Sequence, residues 1–201
     1  GGDLSIPRLL LAYKSGVFPW YNEDEPILWW APQKRMVVVP KHYTMHKSMH
    51  NIFNRKIFDI TFNKDFYQVI TTCKNIYRRD QQGTWISDEI VEAYTKLHEM
   101  GLARSVEVWQ NKKLVGGLYG VDIGNGIFCG ESMFSKVSNA SKVAFYTLLQ
   151  DLKEKDYLLL DCQVYNEHLE SLGAYEILRS EYMKYLLEGN IRLRIKKMKA
   201  S

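Results

Sequence analysis

The chain has 201 residues, of which 46% are hydrophobic and 25% charged, and its formal net charge is +4 at neutral pH. This composition is typical of a folded globular protein and argues against a disordered chain. A membrane protein is not expected either, because no apolar run approaches the roughly 20 residues that cross a bilayer. Since no secretory leader is visible either, we expect a cytoplasmic protein that binds no membrane.

The start of the chain carries signals for the beginning and the end of a helix. Ser5 as an N-cap and Gly16 as a stop predict a helix over about 6–15. The aromatic and proline-rich stretch that follows predicts a small packed cap rather than regular structure. We therefore expect the remnant of a small N-terminal domain at 1–35 and a larger domain at 36–201.

The larger domain alternates between strand and helix periodicity. The patterns predict, in order, a strand at 37–39, a basic helix at 46–54, a strand at 57–62, helices at 65–77 and 87–100, strands at 103–110, 113–122 and 127–134, a helix at 140–153, a strand at 157–164, helices at 166–172 and 180–187, and a strand at 191–195. This order predicts an α+β fold in which the helix at 140–153 crosses between neighbouring strands. It matches an acetyltransferase-like (GNAT-like) mixed sheet flanked by helices.

Polar residues interrupt the apolar strands at 127–134 and 157–164. Because side chains alternate faces along a strand, we expect Glu131 to lie with Cys129 and Met133, and Asp161 to lie with Gln163. Burying a carboxylate is costly unless it is paired, hydrogen-bonded or placed at a wet cleft, so these residues suggest a shared polar pocket. The alternative is that both carboxylates lie at strand ends exposed to solvent.

Short motifs occur in order along nearly the whole chain. They are GGDLS at 1–5, GVFPW at 16–20, LWW at 28–30, GTWI at 83–86, SVEVW at 105–109, LVGGLYG at 114–120, FCGESMF at 128–134, ASK at 140–142, DCQ at 161–163 and SLGA at 171–174. As a set they closely resemble the bacterial leucyl/phenylalanyl-tRNA–protein transferases. That family moves leucine, phenylalanine and sometimes methionine from aminoacyl-tRNA to the N-terminal Arg or Lys of an acceptor protein, which marks the acceptor for degradation by the N-end rule.

The resemblance implies aminolysis of an ester, a reaction that requires an oriented amine, removal of its proton and support for an oxyanion, but no cofactor. Asp161 and Gln163 resemble the catalytic pair, in which Asp161 orients Gln163 and helps to take the proton from the attacking amine. Glu131 resembles the carboxylate that holds the α-ammonium of the transferred amino acid. Tyr94 and Asn166 resemble residues that support this set.

The resemblance also implies binding sites for the two ends of the aminoacyl-adenosine. Leu118, Phe128 and Met133 would line a slot for the amino-acid side chain, although apolar strand positions are most often ordinary core. Such a slot separates side chains that differ by one methylene by only about 1–3 kcal/mol, which suits a preference shared by leucine and phenylalanine. Trp20 and Trp85 resemble aromatic residues around the terminal adenosine.

The acceptor stem of the tRNA is expected to follow the basic helix, where Lys47 matches a family arginine that contacts phosphate. His50 and Asn51 depart from the family pattern, in which further basic residues stand. Binding of the stem is therefore expected either to be weaker or to shift to Arg55, Lys56 or the Arg78-Arg79 pair.

Two other functions remain open at this point. A coenzyme A-dependent N-acyltransferase on the same core would need a glycine-rich loop before the helix at 140–153, and residues 135–139 contain no glycine. A non-enzymatic tRNA-binding module would explain the basic and aromatic residues but not the polar set on the two strands.

We expect no metal site and no disulfide framework. His42, His46 and His50 recur every four residues, but no carboxylate or cysteine joins them. The three cysteines show no C-x-x-C spacing. Since nothing in the sequence demands an oligomer, we expect a monomer.

Overall fold

The computed structural model describes residues 1–22, 24–45, 47–76 and 84–200. Its elements are α1 (Ile6–Lys14), β1 (Phe18–Pro19), β2 (Trp29–Trp30), β3 (Lys34–Val38), α2 (Lys47–Asn54), β4 (Asp59–Phe62), α3 (Phe66–Asn75), α4 (Asp88–Glu99), β5 (Ala103–Gln110), β6 (Lys113–Asp122), β7 (Ile127–Ser135), α5 (Ala140–Glu154), β8 (Leu159–Gln163), α6 (Glu167–Ser171), β9 (Tyr175–Leu178) and α7 (Arg179–Ala200). His46, the Arg78-Arg79 pair and Gly83, the first residue of the GTWI motif, lie outside the described residues.

Within the described part of the chain, seven strands form one sheet in the order β4-β5-β6-β7-β8-β3-β9. The pairs in it are antiparallel except for β7 and β8, which run parallel and are connected by α5. The predicted α+β fold, with a helix crossing between neighbouring strands, is confirmed. The division of the chain at residue 35 stays a prediction, and β3, which spans that point, pairs with both β8 and β9.

Helices cover both faces of this sheet. Helices α1, α3, α4 and α7 pack on one face, and α2 and α5 pack on the other. Strand β6 is therefore buried along its length after Lys113, as expected for a central strand with helices on both sides. Ser87 caps α4 by accepting a hydrogen bond from the Ile90 backbone N–H at 3.2 Å. No described helix is both long and apolar enough to cross a membrane.

Irregular pairing in the middle of the sheet shapes the space between β7 and β8. The pairing of β6 with β7 skips Glu131, and the pairing of β3 with β8 skips Cys162. The parallel ladder between β7 and β8 runs only as far as Cys129 and Asp161. Bulges bend and twist a strand and are frequent beside functional sites, so the two strands diverge at their carboxyl ends.

The bulge at Glu131 corrects the predicted face of Met133. Simple alternation places Cys129, Glu131 and Met133 on one face of the sheet. The extra residue shifts this alternation, so that Met133 pairs with Leu118 and packs on the side of α5, whereas Cys129 lies in the core of the opposite face.

The C-terminal elements differ most from the prediction. The alternation of Ile191 to Ile195 predicts a strand after a helix at 180–187, but this prediction was wrong, because the whole segment belongs to the continuous helix α7. The strand that completes the sheet is β9, which precedes the helix and pairs with β3.

Tertiary contacts explain why α7 continues past residue 187. Gly189 lies so close to the backbone carbonyl of Asn125 that a Cβ atom there would overlap it. The Asn190 side-chain amide donates a hydrogen bond to the carbonyl oxygen of Lys14 at 3.0 Å. These contacts accompany the helical conformation of residues 188–200. The alternating sequence pattern at 191–195 alone does not favour a helix.

A substitution at Gly189 tests this packing. Replacing a helical glycine by alanine ordinarily stabilises a protein by about 1 kcal/mol. Because the added methyl group would overlap Asn125, we expect Gly189→Ala to lower the free energy of unfolding by about 1–3 kcal/mol in urea titrations. Leu187→Ala, at a side chain that is 64% exposed, is the control and should change it by less than about 0.5 kcal/mol. Stabilisation by Gly189→Ala would contradict the close approach.

Candidate active site

A pocket of about 440 Å³ opens where β7 and β8 diverge. Its wall combines a carboxylate, an amide and several aromatic rings with a large apolar surface. The lining residues are Phe18, Pro19, Trp20, Trp85, Leu118, Tyr119, Gly130, Glu131, Ser132, Met133, Phe145, Leu148, Leu160, Cys162, Gln163, Val164, Tyr165, Asn166, His168 and Leu169. A concave apolar surface with few converging polar groups is typical of a small-molecule site.

Glu131 is the carboxylate of this pocket and is only 9% exposed. Its Oε1 atom accepts hydrogen bonds from the Tyr13 hydroxyl at 2.8 Å and from Gln163 Nε2 at 3.0 Å. The Tyr94 hydroxyl lies 3.5 Å from Oε2 and 2.5 Å from the Tyr13 hydroxyl. Two tyrosine hydroxyls and one amide therefore contact this carboxylate, which also lines the pocket.

Burial raises the pKa of Glu131 to about 7. The hydrogen bonds from Tyr13 and Gln163 favour the ionised carboxylate and oppose this rise, while the negative charge of Asp161 adds to it. Glu131 consequently changes its charge near neutral pH, where an ionised form can hold an ammonium group.

Asp161 is fully buried and does not line the pocket. Arg35 binds it in a bidentate ion pair, with Nε 2.8 Å from Oδ1 and Nη2 2.6 Å from Oδ2. The Tyr182 hydroxyl donates to Oδ2 at 3.0 Å, and the Cys129 thiol lies 3.6 Å from the same atom. Its Oδ1 atom also accepts the backbone N–H of Gln163 at 2.9 Å. The carboxylate thus anchors the backbone of the neighbouring pocket residue.

Gln163 joins the two carboxylates. Its φ angle is 67°, in the left-handed region that non-glycine residues rarely adopt. The hydrogen bond from its N–H to Asp161 supports this conformation, and the conformation directs its side chain to Glu131. Main chain and side chain of one residue therefore link the buried ion pair to the pocket.

The residues predicted to form the side-chain slot divide into two groups. Leu118 and Met133 line the pocket, whereas Phe128 is fully buried in the core and does not reach its surface. Further apolar lining comes from positions that sequence reasoning did not single out. These are Phe145, Leu148, Leu160 and Cys162.

The residues predicted around the adenosine also lie at the pocket. Trp20 and Trp85 both line it, and Trp20 remains 37% exposed. The Trp30 ring lies 5.4 Å from that of Trp20, and its indole N–H donates to the Trp20 carbonyl at 2.6 Å. Asn166 lines the pocket as well, and its side chain caps α6 by accepting the Leu169 backbone N–H at 3.2 Å.

The predicted phosphate contacts lie away from the pocket wall. Lys47 and Arg55 are exposed, at the start and just after the end of α2. Among the described residues neither has an ion-pair partner. The same helix buries Met49 in the core beneath α5, so its basic residues face outward. In the described chain, no group of three or more His, Cys, Asp or Glu residues is arranged to hold a metal ion.

Tyr13, Arg35 and Tyr182 were missed by sequence reasoning. Arg35 is in phase with the buried Val37 on β3, so a charged residue on the apolar face of a strand was a usable signal. Tyr13 follows Leu9 by one helical turn and looked like ordinary core.

Sequence comparisons relate the chain to one family. A family model described as leucyl/phenylalanyl-tRNA protein transferase matches residues 37–187, and the model of that family's N-terminal domain matches residues 2–33. The chain is similar to the leucyl/phenylalanyl-tRNA–protein transferase of Flavobacterium johnsoniae, with 62% identity over 92% of this chain and 87% of the relative. It is 58% identical to the transferase of Flavobacterium psychrophilum over 92% of this chain and 88% of the relative.

A solved structure shares the fold. It is a conserved protein of unknown function from Bacteroides thetaiotaomicron VPI-5482, with a TM-score of 0.50 and 14% sequence identity. The match covers 69% of this chain and 53% of that protein. At this level of identity the likeness concerns the arrangement of helices and strands alone.

The raised pKa of Glu131 predicts a pH-dependent stability. Between about pH 4.3 and its folded pKa of about 7, the folded protein binds this proton more tightly than the unfolded chain, so the free energy of unfolding falls as pH rises. Relative to Glu131→Gln, the unsubstituted protein should lose about 2 kcal/mol between about pH 5 and 8 in urea titrations.

Tyr13→Phe provides the matched control for this titration. It removes a hydrogen bond that favours ionised Glu131, so the pKa should rise and the loss of stability should extend to higher pH. Parallel curves for the unsubstituted protein and Glu131→Gln would show that the folded and unfolded states bind the Glu131 proton equally.

Proposed function

Because the chain belongs to the leucyl/phenylalanyl-tRNA protein transferase family, we propose that the pocket between β7 and β8 binds the aminoacylated 3′ end of a tRNA. The protein is an aminoacyltransferase that moves leucine or phenylalanine from tRNA to a protein. The observation that best supports the location of the reaction is the 3.0 Å contact between Glu131 and Gln163 at the wall of an apolar pocket.

The reaction joins an amine to an activated ester. The acceptor amine attacks the ester carbonyl, a C–N bond forms, the bond from the carbonyl carbon to the ribose oxygen breaks, and the proton of the amine passes to that oxygen. Ionised Glu131 holds the α-ammonium of the transferred amino acid by a charge-assisted hydrogen bond. Since Gln163 Nε2 donates to Glu131, the carbonyl oxygen of its amide serves as acceptor for the attacking amine.

Asp161 orients Gln163 in this mechanism. Its oxygens accept hydrogen bonds from Arg35, Tyr182 and the Gln163 backbone, and it lies behind the pocket wall. Removal of the proton by Asp161 would require one of these contacts to break. We therefore assign it the positioning role that the family resemblance implies, and Tyr94 supports Glu131 from behind in the same manner.

The two ends of the aminoacyl-adenosine contact different walls of the pocket. Leu118 and Met133 contact the leucyl or phenylalanyl side chain, with Phe128 packed in the core behind them. Trp20 and Trp85 stack with the adenine, and Asn166 lines the same wall. Lys47 and Arg55 contact phosphates of the acceptor stem, which lies outside the pocket.

The acceptor, the oligomeric state, the cellular location and the domain organisation form part of the same proposal. The acceptor carries an N-terminal Arg or Lys, and the enzyme works as a monomer in the cytoplasm, where the product is degraded by the N-end rule. Residues 36–201 form a GNAT-like catalytic domain behind a small N-terminal domain at 1–35. The parallel crossover from β7 through α5 to β8, inside an otherwise antiparallel sheet, supports this class.

Family membership disfavours the two alternative functions, a coenzyme A-dependent N-acyltransferase and a non-enzymatic tRNA-binding module. A transfer assay separates all three. Labelled Leu-tRNA with peptides that differ only in their first residue should yield product with Arg or Lys and none with Ala or Glu. Transfer that requires acetyl-coenzyme A in place of Leu-tRNA, or tight tRNA binding without product, would contradict the proposed function.

Gln163→Ala tests the catalytic pair directly. Loss of the amide should lower the rate of transfer by about 100-fold or more, in the range of an acid–base group, while binding of Leu-tRNA changes only a few-fold. Gln150→Ala is the matched control, because it removes an exposed glutamine from α5. Equal loss of binding and transfer in Gln163→Ala would assign the residue to substrate affinity instead.

Trp20→Ala tests the adenosine contact. A lost stacking contact worth about 1–3 kcal/mol should raise the KM for Leu-tRNA by about 5–150-fold, and Trp20→Phe should raise it less. Trp109→Phe is a control, since its indole binds Thr61 at 2.8 Å away from the pocket. An unchanged KM in Trp20→Ala would remove this residue from the tRNA site.

A further inference from the structure

Arg35 is a charged residue in an interior position, with only 2% of its surface exposed. Transfer of a guanidinium group from water into a protein interior is costly unless ion pairs and hydrogen bonds replace its hydration. A buried arginine therefore indicates a specific group that it binds. The contacts of Arg35 identify this group.

The guanidinium group of Arg35 connects three parts of the chain. Its Cζ atom lies 4.7 Å from the ring centre of Phe18, which lines the pocket, and 4.6 Å from that of Tyr182 on α7. Its Nη1 atom donates to the Gly16 carbonyl at 3.2 Å. The remaining two nitrogens bind both oxygens of Asp161 on β8. The geometry is that of a planar fork that lysine could not reproduce.

We propose that Arg35 is a positioning residue of the transfer reaction, because it clamps the Asp161 carboxylate in the one orientation that holds the Gln163 backbone and aims the Gln163 side chain at Glu131. The inference rests on the proposed function for its effect on catalysis. It assigns to Arg35 a role that acts through Asp161 and Gln163, since the guanidinium itself lies behind the pocket wall.

The physical need for this clamp lies in the backbone of Gln163. A non-glycine residue at positive φ is energetically unfavourable and persists only when surrounding contacts determine its conformation. The contact that does so is the hydrogen bond from its N–H to Asp161 Oδ1, an atom that also accepts from Arg35 Nε. Without Arg35, Asp161 would be a buried charge without its cationic partner, and no planar fork would fix the orientation of its carboxylate.

A double-mutant cycle separates this role from general stability. The variants are Arg35→Met, Arg35→Lys, Asp161→Asn and Arg35→Met/Asp161→Asn, with Arg104→Met as the matched control. Arg104 is another partly buried arginine that binds two carboxylates, Asp122 at 3.2 Å and Asp151 at 2.6 Å, and it does not line the pocket.

Arg35→Met should lower kcat for Leu-tRNA transfer by about 100-fold and change the KM for Leu-tRNA by less than about threefold, since the binding surfaces remain. Arg104→Met should leave kcat unchanged even where it lowers the unfolding temperature. If Arg35 acts through Asp161, removing it from an Asp161→Asn protein should cost nothing further. Arg35→Lys, which keeps the charge without the fork, should retain the fold and lose about tenfold in kcat.

A spectroscopic readout keeps the inference independent of the substrate. Carbon-13 NMR of the Glu131 carboxyl group reports its titration in the presence of Tyr13, Tyr94, Gln163, Asp161 and Arg35, the groups that influence it. The hydrogen bond from Gln163 lowers the pKa of Glu131. Arg35→Lys keeps the positive charge beside Asp161 but loses the fork, so it should raise this pKa through the lost hydrogen bond, and Arg104→Met should not.

The results of these experiments distinguish a failure of the proposed function from a failure of the positioning role of Arg35. If the unsubstituted protein transfers no amino acid, the proposed function fails, while the Glu131 titration still determines whether Arg35 positions the network. An unchanged Glu131 titration in a folded Arg35→Lys protein overturns the positioning role. Independent, multiplicative effects of Arg35→Met and Asp161→Asn on kcat, or a rise in KM with kcat unchanged, overturn it as well.

Discussion

The cost of burying two carboxylates beside one another determines how this site is built. A bidentate ion pair with Arg35 stabilises the buried Asp161 carboxylate, whereas hydrogen bonds from neutral groups stabilise Glu131. Burial raises the pKa of Glu131 to about 7, because the hydrogen bonds from its neutral partners oppose this rise only in part. The two acids therefore have different roles, one as a fixed anchor and one as a group at the pocket surface that responds to substrate charge.

Irregular strand pairing contributes to the space for a substrate. Strands β7 and β8 separate after Cys129 and Asp161, and the bulges at Glu131 and Cys162 occur at this divergence. Polar groups from both strands consequently meet at the opening. Residues from β6 and α5 line it further, together with residues from β1, the segment before α4, the β8–α6 connection and α6. A rigid sheet that carries both surfaces can hold an amino-acid ester with its reactive carbonyl near the polar end.

Several elements could be predicted from local patterns because their signals are local. Helix α4 lies within the predicted range 87–100, with its cap at Ser87. The β5–β6 hairpin turns between the two predicted strands, at Asn111 and Lys112, with positive φ at both residues. The failure at 191–195 has the opposite cause. There a period-two pattern competed with packing on the Asn125 carbonyl, a contact distant in sequence that holds the segment in a helix.

For the site, the sequence determined which chemical groups are available: carboxylates and an amide within apolar strands, and tryptophans near the start of the chain and before α4. Those identities follow from residue types and from motifs that local inspection can find. Only the tertiary structure decided their partners, since Arg35 is 126 residues from Asp161, and Tyr13 is 118 residues from Glu131. Whether a buried acid becomes an anchor or a titrating group depends on which of these distant neighbours folds against it, and no local pattern records that choice.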